Sequence, residues 1–362
     1  MSLVPTRPLP VLGSPAVLAI ADSAPRARMS AVMLGALPEA SGALGLAVLR
    51  SADTPSPARI RAELEGTRYV GRRVPLLTVG QVRRLVRRRR PDAILLNCSG
   101  PHTEALSWSS RSFLRRYRPV VASSLPVPAL PAAEGEWLHR SRVDLVVAHS
   151  HHEVDEYTNL GEKLGLKGQV GLASLYPDRD ERPEGGYRNR VVFAARPGLP
   201  AGTLGRETLL LTLAGLGEDR PDLEVVLHVG PEGHPELLDT WKALVRSGSA
   251  RESALTVVSG PLREQFDRAR GLAALGSTPV LEAVAARVPS LVITDFGVGP
   301  DQGNSVFEGS GLFGDLKDLR ACRFHRPSRA WGERNHFHPV SDDDWMERLY
   351  DLCGQAARGT LR

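Results

Sequence analysis

Two runs of alternating apolar strands and helical segments, parted by one polar stretch, constrain this fold more than any other feature. The first run offers the strand-like segments PAVLAIAD, ALGLAVLR, DAILLN, PVVASS and DLVVAHS. Between them lie a helical pattern at Ser56–Glu65 and a basic one at Thr78–Arg90, and a further helix begins near Ser150. The stretch Tyr176–Arg190, YPDRDERPEGGYRNR, has no apolar period and reads as a linker. The second run restarts with NRVVFAA, a helix at Gly205–Leu216, LEVVLHVG, a helix in HPELLDTWKALVRSG, and ALTVVSG. Strands alternating with helices are the mark of a parallel α/β sheet. Two such halves predict two Rossmann-like domains facing across a cleft, with ligands outside the carboxyl ends of the strands. The expected bounds are 16–180 for the first domain, 188–340 for the second and 341–362 for a tail helix. The tail, DDDWMERLYDLCGQAARG, is amphipathic, and Asp342, Asp343 and Asp344 suit its N-terminus.

The stretch Ser259–Phe296 points to a ligand class. It reads helix, short apolar strand, Gly-Ser-Thr-Pro, helix, strand. Gly276 allows a tight turn, and Thr278 is placed to cap the helix that Pro279 opens. A helix start offers free N–H groups and a positive dipole end, which suit a phosphate. Ser277 and Thr278 add hydroxyls, and Glu282, one turn on, is within reach of a ribose. An ordinary strand–helix–strand unit with a polar cap accounts for the same residues without a ligand.

Composition narrows the field. The 362 residues suffice for two domains, and 42% hydrophobic with 24% charged residues is ordinary for a globular chain. The net charge, 46 − 41 = +5, suits an anionic ligand or a membrane surface without demanding nucleic acid. Cys98, Cys322 and Cys353 lie far apart, which excludes zinc-finger spacing and fits a reducing cytoplasm. No apolar run is long enough for a spanning helix. Arg7 precedes LPVLGSPAVLAIADSA, a leader-like run, but Pro8, Pro10 and Pro15 interrupt it and PAVLAIAD reads as a first buried strand. Neither a G-x-G-x-x-G nor a G-x-x-x-x-G-K-[ST] loop follows any strand, which disfavours dehydrogenases and P-loop NTPases.

The order of motifs resembles the GT-B glycosyltransferases, and most closely a group of glycosyltransferase-like proteins of high-GC bacteria. The matching pieces are LAIADS, SSLPVPALPA, LGSTPVLEAVAARVPSLVITDFGV, NSVFEGSGLFGDLKDLRACRFHRPSRAW and NHFHP. The likeness spans most of 16–350. It implies a tail helix that crosses back to the first domain. A more distant resemblance is to bacterial sialyl- and polysialyltransferases, with Asp22, His234-Pro235 and Ser277-Thr278 as counterparts of their acidic, His-Pro and Ser/Thr motifs. Around Asp22 the acidic-acidic-Gly order of that family is absent. This likeness implies a CMP-activated nonulosonic acid, such as sialic acid, as donor, an inverting reaction, and no metal or other cofactor. A cell-surface glycan or glycolipid is the implied acceptor. UDP- or GDP-sugars, a CDP-polyol for cell-wall polymers, and a non-catalytic GT-B-like binding protein stay open. The UDP-sugar 2-epimerases share this fold but need several acidic and histidine residues converging on one sugar.

Glycosyl transfer assigns tasks to the candidates. Asp22, at the end of the first strand, is placed as the base for the acceptor hydroxyl, or else caps the next helix with Ser23. His234 follows VGPEG and is placed to assist the leaving phosphate, or else caps its own helix. Arg196 and Gly198, in AARPGLP, belong beside the phosphates. His228 reads as a sheet-end residue; Asp301, Gln302 and Asn304 line the cleft by family likeness. His149, His151 and His152 bind acceptor or cap a turn, and His336 and His338 match no metal-ligand spacing. Arg83, Arg84, Arg87 and Arg88, in VRRLVRRRRP, form a solvated helix face or contact anionic lipid at the inner membrane surface. Aromatic residues are 5% and none interleaves this run, so a nucleic-acid stacking surface is not expected.

Overall fold

The computed structural model describes residues 14–38, 45–51, 54–112, 117–166, 168–176, 188–230 and 233–361. The arm expected at 1–15 and the hinge expected at Tyr176–Arg190 fall largely outside the described residues. The first half runs β1 (Val17–Ala21), α1 (Ala24–Ala36), β2 (Gly45–Leu49), α2 (Pro57–Glu63), β3 (Leu76–Leu77), α3 (Val79–Arg89), β4 (Ala93–Asn97) and α4 (Gly100–Ser112). It continues with β5 (Val120–Ser124), α5 (Glu134–His139), β6 (Leu145–Ala148), α6 (His151–Lys163) and β7 (Gln169–Leu172). The second half runs β8 (Arg190–Ala194), α7 (Thr203–Asp219), β9 (Glu224–His228), α8 (Pro235–Arg246), β10 (Thr256–Val258) and β11 (Ala269–Ala274). Then follow α9 (Ser277–Ala285), β12 (Ser290–Ile293), β13 (Phe313–Gly314), α10 (Leu316–Arg320), α11 (Arg329–Arg334) and α12 (Trp345–Ala357).

The strands form two parallel sheets, β3-β2-β1-β4-β5-β6-β7 and β10-β9-β8-β11-β12-β13. Parallel strands need crossover helices, which cover the faces of the sheets, and the central strands such as β1 and β4 are buried along their whole length. In β1 the side chains alternate between two cores: Val17, Ala19 and Ala21 pack on one face, Leu18 and Ile20 on the other. Two such domains constitute a GT-B fold. The helix expected ahead of β11 is only a short 3-10 turn at Leu262–Gln265. Gly260-Pro261 precede the turn and β11 begins at Ala269, which leaves too little chain between them for a stable α-helix.

The tail helix α12 packs on the first sheet, against β5, β6 and β7. Trp345, Leu349 and Leu352 enter the same core as Val17 and Ala19. The three aspartates before it do not cap it. Asp344 accepts from the Leu172 N–H at 2.8 Å, and Asp343 from Ser174 N–H at 2.9 Å. These N–H groups lie at the end of β7, so the carboxylates satisfy a strand edge that, among the described residues, has no further strand beside it. Asp344 is the helix N-cap by position but makes no side-chain cap bond.

Candidate active site

Each sheet reverses its strand order once, between β1 and β4 in the first and between β8 and β11 in the second. At a reversal the flanking loops part and leave a crevice at the carboxyl ends of the strands. Asp22, Ser99 and His102 line the first crevice; Arg196, Gly198 and Gly276–Thr278 line the second. The two edges meet: Thr278 Oγ1 lies 3.5 Å from the carbonyl of Val127, just after β5.

In the first crevice the Asp22 carboxylate is fully engaged. Oδ1 accepts from Arg26 Nη1 at 2.9 Å; Oδ2 accepts from the Ser99 N–H at 2.7 Å and from His102 Nδ1 at 2.8 Å. Burial pushes its pKa up, but the bonds from His102 and Ser99 and the Arg26 charge outweigh that and hold it below the usual carboxylate range. An anion so held is a weak base, and its side chain is 4% exposed. The role expected for Asp22, direct removal of the acceptor proton, does not fit these surroundings. His102 does fit. Donation from Nδ1 to Asp22 leaves Nε2 as the bare, basic nitrogen of the neutral ring. The His102 side chain is 37% exposed, and Nε2 has no hydrogen-bond partner among the described residues. The sequence reading missed His102; the available signal was Cys98-Ser99-Gly100-Pro101-His102, directly after the DAILLN strand.

In the second crevice the helix starts earlier than expected. Its N-cap is Gly276, not Thr278, and no side chain caps it. Pro279 then occupies the third helical position, still in the first turn, where its missing N–H leaves no bond unmade. Glycine has no side-chain acceptor, so among the described residues no N-cap side chain takes up the first N–H groups of α9. Thr278 is exposed; the Ser277 side chain lies outside the described ones. The neighbouring helix α7 has Gly202 as its N-cap, again with no side-chain cap. Two uncapped helix starts thus flank the β8/β11 reversal.

Arg196 crosses between them. Its Nη1 donates to the Gln302 carbonyl at 2.6 Å. A Cβ at Gly276 would stand 3.0 Å from Arg196 Cδ, and one at Gly303 2.6 Å from Nη1, so the guanidinium passes over two bare backbones. Gly198 has φ +81, a conformation that favours glycine. Asn304 is buried and ties the loop down: Nδ2 donates to the Leu275 and Gly297 carbonyls, and Oδ1 accepts from the Gly299 N–H. Gln302 and Asn304 therefore shape this crevice, with Asp301 exposed beside them.

Both ring nitrogens of His234 are engaged by the protein. Its Nδ1 accepts from the Leu237 N–H at 3.2 Å, and Nε2 donates to the Arg196 carbonyl at 3.0 Å. Both ring nitrogens serve the protein: one caps α8 and the other holds the Arg196 loop. Glu282 is half-buried at the seam between domains, facing Glu63, Arg28, Arg263 and Tyr176. Burial and the Glu63 charge push its carboxyl up to about 7 against the pull of the two arginines.

Four other histidines bond to protein groups. His228 Nε2 donates to the Gly260 carbonyl at 2.9 Å. His149 is fully buried between the Ser124 hydroxyl and the Ala173 carbonyl, and burial holds its pKa down to about 4. His151 meets Asp342 at 3.0 Å, and His338 meets Asp343 at 3.1 Å. On α3, Val82 and Val86 face the core while Arg83, Arg84, Arg87 and Arg88 are exposed.

Residues 17–352 match the family model described as "Putative glycosyltransferase (DUF6716)". No curated protein sequence matches the chain. Among solved structures, that of Staphylococcus aureus MnaA with UDP is 11% identical with a TM-score of 0.57, covering 96% of this chain and 97% of the other. The Methanocaldococcus jannaschii UDP-GlcNAc 2-epimerase with UDP-GlcNAc and UDP is 12% identical with a TM-score of 0.57, covering 93% and 99%. The Neisseria meningitidis UDP-GlcNAc 2-epimerase bound to UDP-GlcNAc is 10% identical with a TM-score of 0.54, covering 94% and 97%. At such identities the likeness is one of fold.

Proposed function

This chain belongs to the DUF6716 family of glycosyltransferases, and from that premise we propose that it moves a sugar from a nucleoside diphosphate sugar to a hydroxyl acceptor with inversion. The carrying observation is the pairing of the two strand-order reversals across one cleft. One holds a carboxylate-backed histidine with a bare nitrogen; the other holds two uncapped helix starts and Arg196. In this reading His102 Nε2 takes the acceptor proton, Asp22 orients the ring and stabilises its charge, and the helix starts with Arg196 receive the leaving phosphates. His234 positions the Arg196 loop. Base and leaving-group site come from opposite domains, an arrangement compatible with an in-line displacement.

Two helix starts suit two phosphates, and the solved structures of like fold hold UDP or UDP-GlcNAc. A UDP-sugar is therefore the first donor, its ribose lying toward Glu282. A CMP-nonulosonic acid is the second reading. It rests on Ser277-Thr278 alone, because the histidine of the His-Pro pair caps a helix. The exposed basic face of α3 supports an acceptor held near an anionic surface, such as a glycolipid, with no helix among the described residues long and apolar enough to cross a membrane. A thermal-shift panel of UDP, GDP, CDP and CMP tests the donor, since a ligand that binds only the folded chain raises its melting temperature. Diphosphates should stabilise more than CMP; a response to CMP alone reverses the order of the two readings.

A further inference from the structure

A cavity of about 600 Å³ lies away from the cleft, where α9 ends and α11 begins. It sits at the far end of α9 from the phosphate turn, about 13 Å along the helix at 1.5 Å per residue. Its apolar wall includes Tyr176 and Phe337, whose rings stack with centroids 5.6 Å apart. Arg287, Arg326, Arg329 and Glu333 are among its polar lining. Arg329 is paired with Glu333 at 2.6 Å, whereas no carboxylate among the described residues pairs with Arg287 or Arg326. Arg287 also holds a left-handed backbone, φ +55, which a residue with a side chain rarely adopts.

We propose that this cavity is a second binding site, for a small phosphate-bearing ligand, distinct from the nucleotide crevice. Two unpaired guanidiniums facing one volume match the geometry of a phosphate, to which arginine donates two parallel bonds. The volume lies within the range of pockets that hold small molecules, and the aromatic wall takes the ligand's carbon part. The site has a route to the domain seam. His338, also in its lining, bonds Ser174 of the first domain and Asp343, and Asp343 holds the end of β7. Tyr176 is the residue through which the first domain leads into the linker. A ligand here touches both domains and biases their relative position.

Titration calorimetry of the full chain with inorganic pyrophosphate and with glucose 1-phosphate tests the site. Binding should persist in Arg196→Gln, which disturbs only the cleft. It should weaken roughly tenfold or more in Arg287→Gln/Arg326→Gln, through loss of charge-assisted bonds. The single variant Arg326→Gln, at an exposed loop position, guards against a folding defect in the double one. Co-sedimentation with phosphatidylcholine vesicles containing phosphatidylglycerol separates the sources. Dependence on the same arginines identifies a lipid headgroup; pyrophosphate binding without it identifies a free phosphate. Unchanged pyrophosphate affinity in both arginine variants, or its loss in Arg196→Gln alone, overturns the second site. The latter result leaves the nucleotide crevice standing.

Discussion

His102 Nδ1 lies 2.8 Å from Asp22 Oδ2, joining the start of α4 to the end of β1 across 80 residues of sequence. The carboxylate fixes the ring's tautomer and turns its second nitrogen toward the cleft. Replacing His102 by Ala should lower kcat about 10²–10⁴-fold while nucleotide affinity stays near wild type. Asp22→Asn should also lower kcat, because an amide cannot stabilise the imidazolium. Full transferase turnover in His102→Ala would remove His102 as the base.

Arg196 bridges the two loops that receive the phosphates. Arg196→Gln should weaken nucleoside diphosphate binding by roughly tenfold or more, the usual weight of a charge-assisted bond. The check is calorimetry with UDP, and equal affinity in the variant contradicts the placement of the phosphates.

Glu282 links stability to pH. Its carboxyl titrates at about 7 in the folded chain and near 4.3 when unfolded. Between those values the folded chain keeps a proton that the unfolded chain has released. The contribution is therefore complete below the unfolded value and lost as pH rises through about 7. Glu282→Gln should melt higher than wild type at about pH 8 and alike at about pH 4, the charged form being absent there. Melting curves across that range that stay parallel at every pH would contradict it.

The tail helix acts as part of the first domain. Trp345 is 1% exposed in the first-domain core. Trp345→Ala should cost about 3–5 kcal/mol of stability by denaturant unfolding. Asp343→Ala, which frees the Ser174 N–H, should cost about 1–3 kcal/mol. A variant of either kind that unfolds at the wild-type denaturant midpoint refutes the docking.

Local chemistry made the fold readable. Strand segments such as VLAIA and RVVFA carry continuous apolar runs because both faces of a parallel sheet are covered, and that burial is written residue by residue. The Gly276 turn and the helix behind it were readable for the same reason: a glycine and a polar pair between a strand and an apolar helix is a short-range signal. Asp22 could be placed at a strand end, and Arg196 in a loop beside the phosphate turn. What each side chain does there depends on partners far along the chain. His102 becomes a candidate base only because β4 lies beside β1, which brings Ser99 and His102 onto a carboxylate 77 and 80 residues away. His234 turns structural because its second nitrogen meets the carbonyl of Arg196, 38 residues earlier. Asp343 and Asp344 look like helix caps until β7 presents N–H groups about 170 residues upstream. The sequence by itself determined where strands and helices form, since burial and backbone preference act over a few residues. Tertiary structure alone decided which polar groups are free for chemistry, because a hydrogen-bond partner is chosen by proximity in space.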